Sequence, residues 1–280
     1  MNSINALKDK FDSDESRTIS ILRAIDSRKY DIAKDKAKST IEEIENLKKE
    51  LKSEGDLNAA YLTNSFYELL LRVSLFWQHI ERESYYQSWW ALQDGLDHLR
   101  QLKKFYLAKN KALSFFENQL IELEKLYPYK LFSSPGFIVE SFQCSICKND
   151  IDSDFCSHMK GELYSGEIAY AVAQEIKDID HFAFVTNPTN KRLVIDNNDN
   201  HIQFNLFKEV VEHFNSNNLS PLGFSTLKRY EFMRPDEDWV KLPRNSECYC
   251  GSGKKFKKCC IGNSQKKQIH VDFMGHHIFA

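Results

Sequence analysis

All seven cysteines of this 280-residue chain fall into two short clusters, and that placement constrains the fold more than any other feature. One cluster is Cys248, Cys250, Cys259 and Cys260: two cysteines one residue apart, eight further residues, then an adjacent pair. Four thiolates so spaced suit a tetrahedral zinc ion. Gly251 and Gly253 let the backbone turn tightly enough to bring the first pair round to the second, because glycine accepts positive φ without steric cost. The other cluster is Cys144-Ser145-Ile146-Cys147 followed by Cys156 and His158, three thiolates and an imidazole that make a closed structural zinc site. Four protein ligands in each cage leave no position for a water, so neither pattern points to metal-assisted hydrolysis. Two zinc ions are therefore expected, with iron the alternative for the four-cysteine cage.

The stretch from Arg244 to Gly262 resembles the SEC-C motif, a short zinc module found at the C-terminus of the protein-export motor SecA and on many other bacterial proteins. Arg244, Asn245, the run Cys248-Tyr249-Cys250-Gly251-Ser252-Gly253-Lys254-Lys255, the aromatic Phe256 and the Cys259-Cys260 pair carry the resemblance. Glu247 and Tyr249 stand where that family usually has proline, and neither position supplies a ligand. In SecA-like proteins the resemblance implies contact with an export chaperone and the ribosome. The residues themselves add a charge argument. Between positions 241 and 268 there are eight Lys or Arg and one acidic residue. A zinc tetrathiolate contributes about −2, so the folded tail carries about +5. With Lys254, Lys255, Lys257 and Lys258 outside the cage, such a knob can dock on an acidic protein surface or on nucleic-acid phosphates.

The rest of the composition sets no global bias. Net charge is −2, so any pull toward nucleic acid or membrane is local. No apolar run approaches the roughly 18 residues that a membrane span requires. Met1 to Lys10 lacks the apolar stretch of a signal peptide. Cysteines in metal spacings argue for a reducing compartment over a disulfide framework, which predicts a cytoplasmic protein.

Three segments are expected, in a multidomain α+β arrangement. Residues 1–130 read as an antiparallel helical bundle. Ala33, Ala37, Ile41, Ile44, Leu47 and Leu51 step by three and four, and this less aromatic stripe suits either a coiled-coil-like hairpin or a second subunit. Ser53-Glu54-Gly55-Asp56 breaks the pattern, with Asp56 the expected cap of the next helix. Apolar faces follow at Phe66, Leu69, Leu70, Val73, Phe76, Trp77 and Ile80, then at Trp89, Leu92, Leu96, Leu99, Leu102 and Tyr106, and then at Leu113, Phe116, Leu120, Leu123 and Tyr127. Residues 131–235 read as a mixed α/β domain around the Cys3His site. There Ser133-Ser134-Pro135-Gly136 signals a loop, Phe137–Phe142, His181–Thr186 and Arg192–Ile195 read as strands, and Phe204–Phe214 as a short helix. Residues 236–280 are the zinc module and tail.

Signs of catalysis are few. Arg72 and His79 lie seven residues apart on one predicted helix, within about 20° of each other around its axis. A helical bundle with that pair resembles the HEPN superfamily, which implies a metal-independent RNase with His79 as general acid or base and Arg72 stabilising phosphate charge. Val73 departs from the polar residue usual after that arginine, and the plainer reading pairs Arg72 with Glu68 one turn earlier. Asp178, Asp180 and His181 suit a strand-entry turn as well as a metal triad. Asp196-Asn197-Asn198-Asp199-Asn200 lacks the spaced glutamate of a calcium loop and reads as a turn. His270, His276 and His277 are candidates for extra ligands at the last cage. No Walker A, dinucleotide or Gly-x-Ser-x-Gly pattern is present. The chain therefore reads as a zinc-binding interaction protein whose tail docks a protein or ribonucleoprotein partner, with an RNase or a purely structural scaffold as alternatives.

Overall fold

The computed structural model describes residues 15–106, 110–235, 241–248, 252–261 and 265–280, and these mix six helices with small antiparallel sheets. They divide into two compact units, one from the N-terminus to Ser225 plus His276–Ala280, the other Thr226–Gly275.

Among the described residues, five helices open the first unit: α1 (Glu15–Asp26), α2 (Tyr30–Lys48), α3 (Glu54–Glu81), α4 (Tyr85–Phe105) and α5 (Lys111–Glu124). Each packs against the next in sequence. The α3 helix is the hub. Leu69, Leu70, Val73, Phe76, Trp77 and Ile80 of its expected stripe are buried, but so are Ala60, Tyr67 and Leu71 on other faces. A helix apolar on more than one side belongs inside a layer of other helices. The break before α3 is where the sequence puts it, with a different cap: the Ser53 hydroxyl accepts the Asp56 amide at 3.1 Å and donates to the Asp56 carboxylate at 2.6 Å. Asn110 caps α5 in the same way, accepting from the Leu113 amide.

Two helix ends carry no glycine signal. After α1, Lys29 N–H bonds to Ala24 and Arg28 N–H to Ile25, with Arg28 at φ 61°. After α3, Ser84 bonds to His79 and Glu83 to Ile80, with Glu83 at φ 55°. Both are left-handed closures that glycine usually serves. At Arg28 the side chain compensates with a two-pronged pair to Glu81, at 2.7 and 2.9 Å.

A sixth helix, α6 (Asn205–Asn215), packs on α3. It lies one residue from the predicted span. Phe76, Trp77, Tyr85, Trp89, Tyr127, Phe204, Phe207, Phe214 and Phe224 are all buried, and Tyr85 stacks on Phe204 at 4.3 Å between centroids. Burial of each such side chain contributes on the order of 2–3 kcal/mol. The last residues return to this unit: Ile278 N–H bonds to Leu222, and the Gln119 amide holds the Pro221 and Phe224 carbonyls.

Between α5 and α6 the strands differ from expectation. The predicted loop at Ser133–Gly136 lies inside β1 (Phe132–Val139). Proline and glycine are tolerated there because a two-stranded ribbon has a free edge that needs no N–H from Pro135. Phe142 belongs to a second short strand, β2 (Phe142–Cys144), which pairs with β5 (Ala171–Ala173). The strand expected at His181–Thr186 is longer and starts earlier, as β6 (Ile176–Val185), antiparallel to β1. The strand expected at Arg192–Ile195 shrinks to one bridge, Val194 to Phe132, because Arg192 and Lys191 turn instead to the helices. Bonds from Glu140 to Glu175 and from Gln174 to Ser141 join the two strand pairs into one long ribbon. A small hairpin, β3 (Leu163–Tyr164) with β4 (Glu167–Ile168), closes on Ser165 and Gly166, both at positive φ.

The second unit is another ribbon. β7 (Thr226–Pro235) pairs with β8 (Gln265–Met274) in unbroken register from Thr226–Met274 to Pro235–Gln265. The chain between those two strands is the cysteine-rich tail.

Candidate metal centres

At the far end of the first ribbon, β2 delivers Cys144 and the chain turns back at once. Lys148 N–H bonds to the Cys144 carbonyl at 3.1 Å, with Lys148 itself at φ 64°. That knuckle brings Cys147 under Cys144. A second turn, fixed by Asn149 donating to the Phe155 carbonyl at 3.0 Å, returns Cys156 and His158 to the same place. The three sulfurs and one ring nitrogen all lie within 4.8 Å of one another. Cys147 and Cys156 are 3.6 Å apart, and Cys156 lies 4.0 Å from His158 Nδ1. Bonds of about 2.3 Å to a tetrahedral ion require a sulfur–sulfur edge of about 3.8 Å, so the donor set fits a metal of zinc's size and geometry. Burial works to raise the Cys144 thiol, but the backbone amides of Cys147 and Ile146 donate to its sulfur and hold its pKa below the usual cysteine range. The His158 ring stands edge-on to Tyr164 at 4.8 Å.

This module is tied to the helices. Lys48 Nζ donates to the Gly166 carbonyl at 2.9 Å, and the Gly166 amide donates to Asn58 at 2.7 Å. A Cβ at Gly166 would lie 2.9 Å from the Leu57 carbonyl oxygen, so the hairpin tip and the start of α3 approach as closely as backbone permits. On another side, Lys104 reaches the Gly161 carbonyl at 2.7 Å and Glu162 at 2.8 Å.

In the second unit, Cys248, Cys259 and Cys260 also gather within 4.8 Å, with Cys259 and Cys260 sulfurs 3.7 Å apart. Cys250, the expected fourth ligand, lies outside the described residues. Cys248 is buried and Cys259 exposed. Backbone bonds build the cage: Cys248 N–H to Lys254, Phe256 N–H to Ser246 and Lys257 N–H to Arg244, each 2.8 or 2.9 Å. Phe256, 2% exposed, plugs the fold beneath them. Gly253 takes φ 68° at the turn. Lys254, Lys255, Lys257 and Lys258 are all exposed around it. None of the six described cysteines is in a disulfide.

The other sequence candidates go elsewhere. His270 pairs with Asp272 on β8, His277 with Asp26, and His276 lies against Phe115. Asp180 pairs with its neighbour His181 in the open, and Asp178 bonds the Ile179 amide. Asn198 and Asn200 amides bond back to Asp196 and Asn198, a turn as expected. Arg72 pairs with Glu68 at 3.3 Å and with Asp94 of α4 at 3.5 Å. Burial, and then the nearby cations Arg82 and Lys34, lower the His79 pKa below the ordinary histidine value. No hydrogen bond or ion pair joins Arg72 to His79 among the described residues, and they sit in different charge surroundings.

Sequence reasoning missed the network around Arg72. Arg192 reaches Asp94 and Asp97, each at 2.6 Å, while His98 Nδ1 is buried without a partner. The spacing Asp94, Asp97, His98 on one helix face was the available signal.

These two sites define the class of protein: a chain with two cysteine cages that can hold metal, each inserted at the end of an antiparallel ribbon. Residues 244–261 match the family model of the SEC-C motif. No solved structure matches the chain. Among the described residues no helix is long and apolar enough to cross a membrane.

Proposed function

We propose that this is a cytoplasmic zinc protein whose SEC-C module docks an acidic partner, a protein or ribonucleoprotein, while the cage in the main unit stabilises the fold. Cys144, Cys147, Cys156 and His158 would hold one ion, and Cys248, Cys250, Cys259 and Cys260 the other. Zinc in these sites supplies fixed geometry rather than reactivity, because every coordination position is taken by protein. Cysteines in metal spacings, with no disulfide among the described residues, suit a reducing compartment.

Charge separation carries the docking reading. Thr226–Gly275 holds eleven Lys or Arg against six Asp or Glu, whereas the remainder of the chain holds 27 against 34. The exposed Lys254, Lys255, Lys257 and Lys258 concentrate that excess around a rigid cage. A preorganised cluster of cations loses little entropy on binding and steers an anionic surface toward it.

Crosslinking of the tagged protein in cells tests this. Wild type should recover a partner that is lost from both Cys259→Ser/Cys260→Ser and Lys254→Glu/Lys255→Glu. Equal recovery from all three would reduce the tail to a structural cap.

A further inference from the structure

The β1–β6 ribbon carries a feature that neither metal cage explains. Register places Ser133 opposite Phe184, Pro135 opposite Phe182, Phe137 opposite Ile179 and Val139 opposite Ile176. These pairs share one face. Simple alternation along β6 would instead put Asp180 and Asp178 on the face of Phe182 and Phe184, and Ile179 on the other. Two irregularities prevent this, one between Gly136 and Phe137, the other between Ile138 and Val139, where the pairing skips Asp180 and Lys177. Each bulge shifts the strand by one residue. Together they gather Phe137, Ile176, Ile179, Phe182 and Phe184 on one side and leave Ile138, Asp178 and His181 on the other, where the His181 ring lies over Gly136.

Among the described residues, the large side chains of the apolar side are about half or more exposed. Phe137 is 48% exposed, Ile176 58%, Ile179 63%, Phe182 61% and Phe184 62%. Phe182 and Phe184 are braced edge to face, 5.6 Å between centroids. Side chains of this size, half or more exposed, present on the order of 500 Å² of apolar surface, as much as the largest patch on an ordinary monomer.

We propose that this face joins two copies of the chain, ribbon against ribbon. Three observations favour a second copy. Lys177, the lysine on β6 (Ile176–Val185), is already paired within the chain to Glu140 and Glu175. It is therefore not offered to a nucleic acid or an anionic membrane. A twisted two-stranded ribbon with one apolar side packs on its own twofold copy as aligned sheets do, with like side chains interdigitating. Two such faces, fully buried, would remove about 1,000 Å² from water, the area a specific interface needs. This interface is separate from the docking tail and does not depend on it.

Sedimentation velocity on the full chain across a concentration series tests the proposal. Wild type should approach twice the 32.8 kDa chain mass as concentration rises. Phe182→Asp/Phe184→Asp should raise the dissociation constant at least about a hundredfold, with helical circular dichroism and metal content unchanged. A wild type that stays monomeric at every concentration, or a well-folded variant that still dimerises, would overturn it. A photocrosslinking side chain at Phe182 keeps the test decisive if the double variant misfolds. A crosslink to a second copy supports the proposal. A crosslink within the chain, or none until lipid vesicles or another protein are added, contradicts it.

Discussion

Two ribbons of this molecule each end in a cysteine cage, and they treat the cage differently. The first ribbon's module is bolted to the helices, through Lys48 and Asn58 at Gly166 and through Lys104 at Gly161 and Glu162. Its four donors converge, and Cys144 is fully buried. The second module is held by its own backbone bonds and by Phe256, and it turns four lysines to water. The proposed division of labour rests on this difference: the first cage is paired to the rest of its unit, and the second carries a ring of exposed lysines.

The largest effect should come from breaking the first cage. Cys147→Ser/Cys156→Ser should lose one metal per chain and destabilise the helical unit by on the order of 5 kcal/mol or more, a fraction of the roughly 10–16 kcal/mol that metal gives small metal-folded modules. Elemental analysis with thermal unfolding measures both. Cys259→Ser/Cys260→Ser should also lose one metal, yet leave the helical unfolding midpoint within about 2 °C of wild type, a shift worth less than 1 kcal/mol in a chain of this size.

A glycine in each module sharpens the contrast. Gly166→Ala meets both positive φ and a backbone oxygen at 2.9 Å, so it should cost about 2–3 kcal/mol and expose the hairpin to protease. Gly253→Ala meets open space and only the cost of φ 68°, about 1 kcal/mol. Chemical denaturation of each variant reads the difference.

The smallest effect separates the helical unit from its cage by pH. Burial, aided by Arg72 and opposed by the carboxylates of Glu68, Asp94 and Asp97, holds His98 below the ordinary histidine pKa. The unfolded chain then takes up a proton near pH 6.5 that the folded chain refuses. Stability from this group is complete above that pH and declines as pH falls toward the folded value. His98→Gln should flatten the decline that sets in below about pH 6.5, measured against wild type at equal metal loading.

Much of this was legible in the sequence, for identifiable reasons. The cages were, because ligand chemistry demands fixed residue types at short spacing. The stripes on α3, α4 and α5 were, because Leu69, Phe76, Leu92 and Phe116 repeat at helical period into one aromatic core. Arg28 and Glu83 were not, since they close helices in a conformation that glycine normally signals. Ser133–Gly136 misled for the opposite reason: turn residues sit in a strand whose free edge tolerates them. The phase of β6 was hidden because two bulges override simple alternation. The ion pairs of Arg192 depend on residues about a hundred positions away, which no local pattern carries.

Stepwise removal of metal with a chelator, followed by hydrogen exchange, tests the division of labour most directly. Two separate steps are expected. One deprotects residues 244–261 alone, and the other deprotects residues 142–170 together with the helix segments around Lys48, Asn58 and Lys104. A single step, or loss of helix protection when only the tail has given up its metal, would contradict the account.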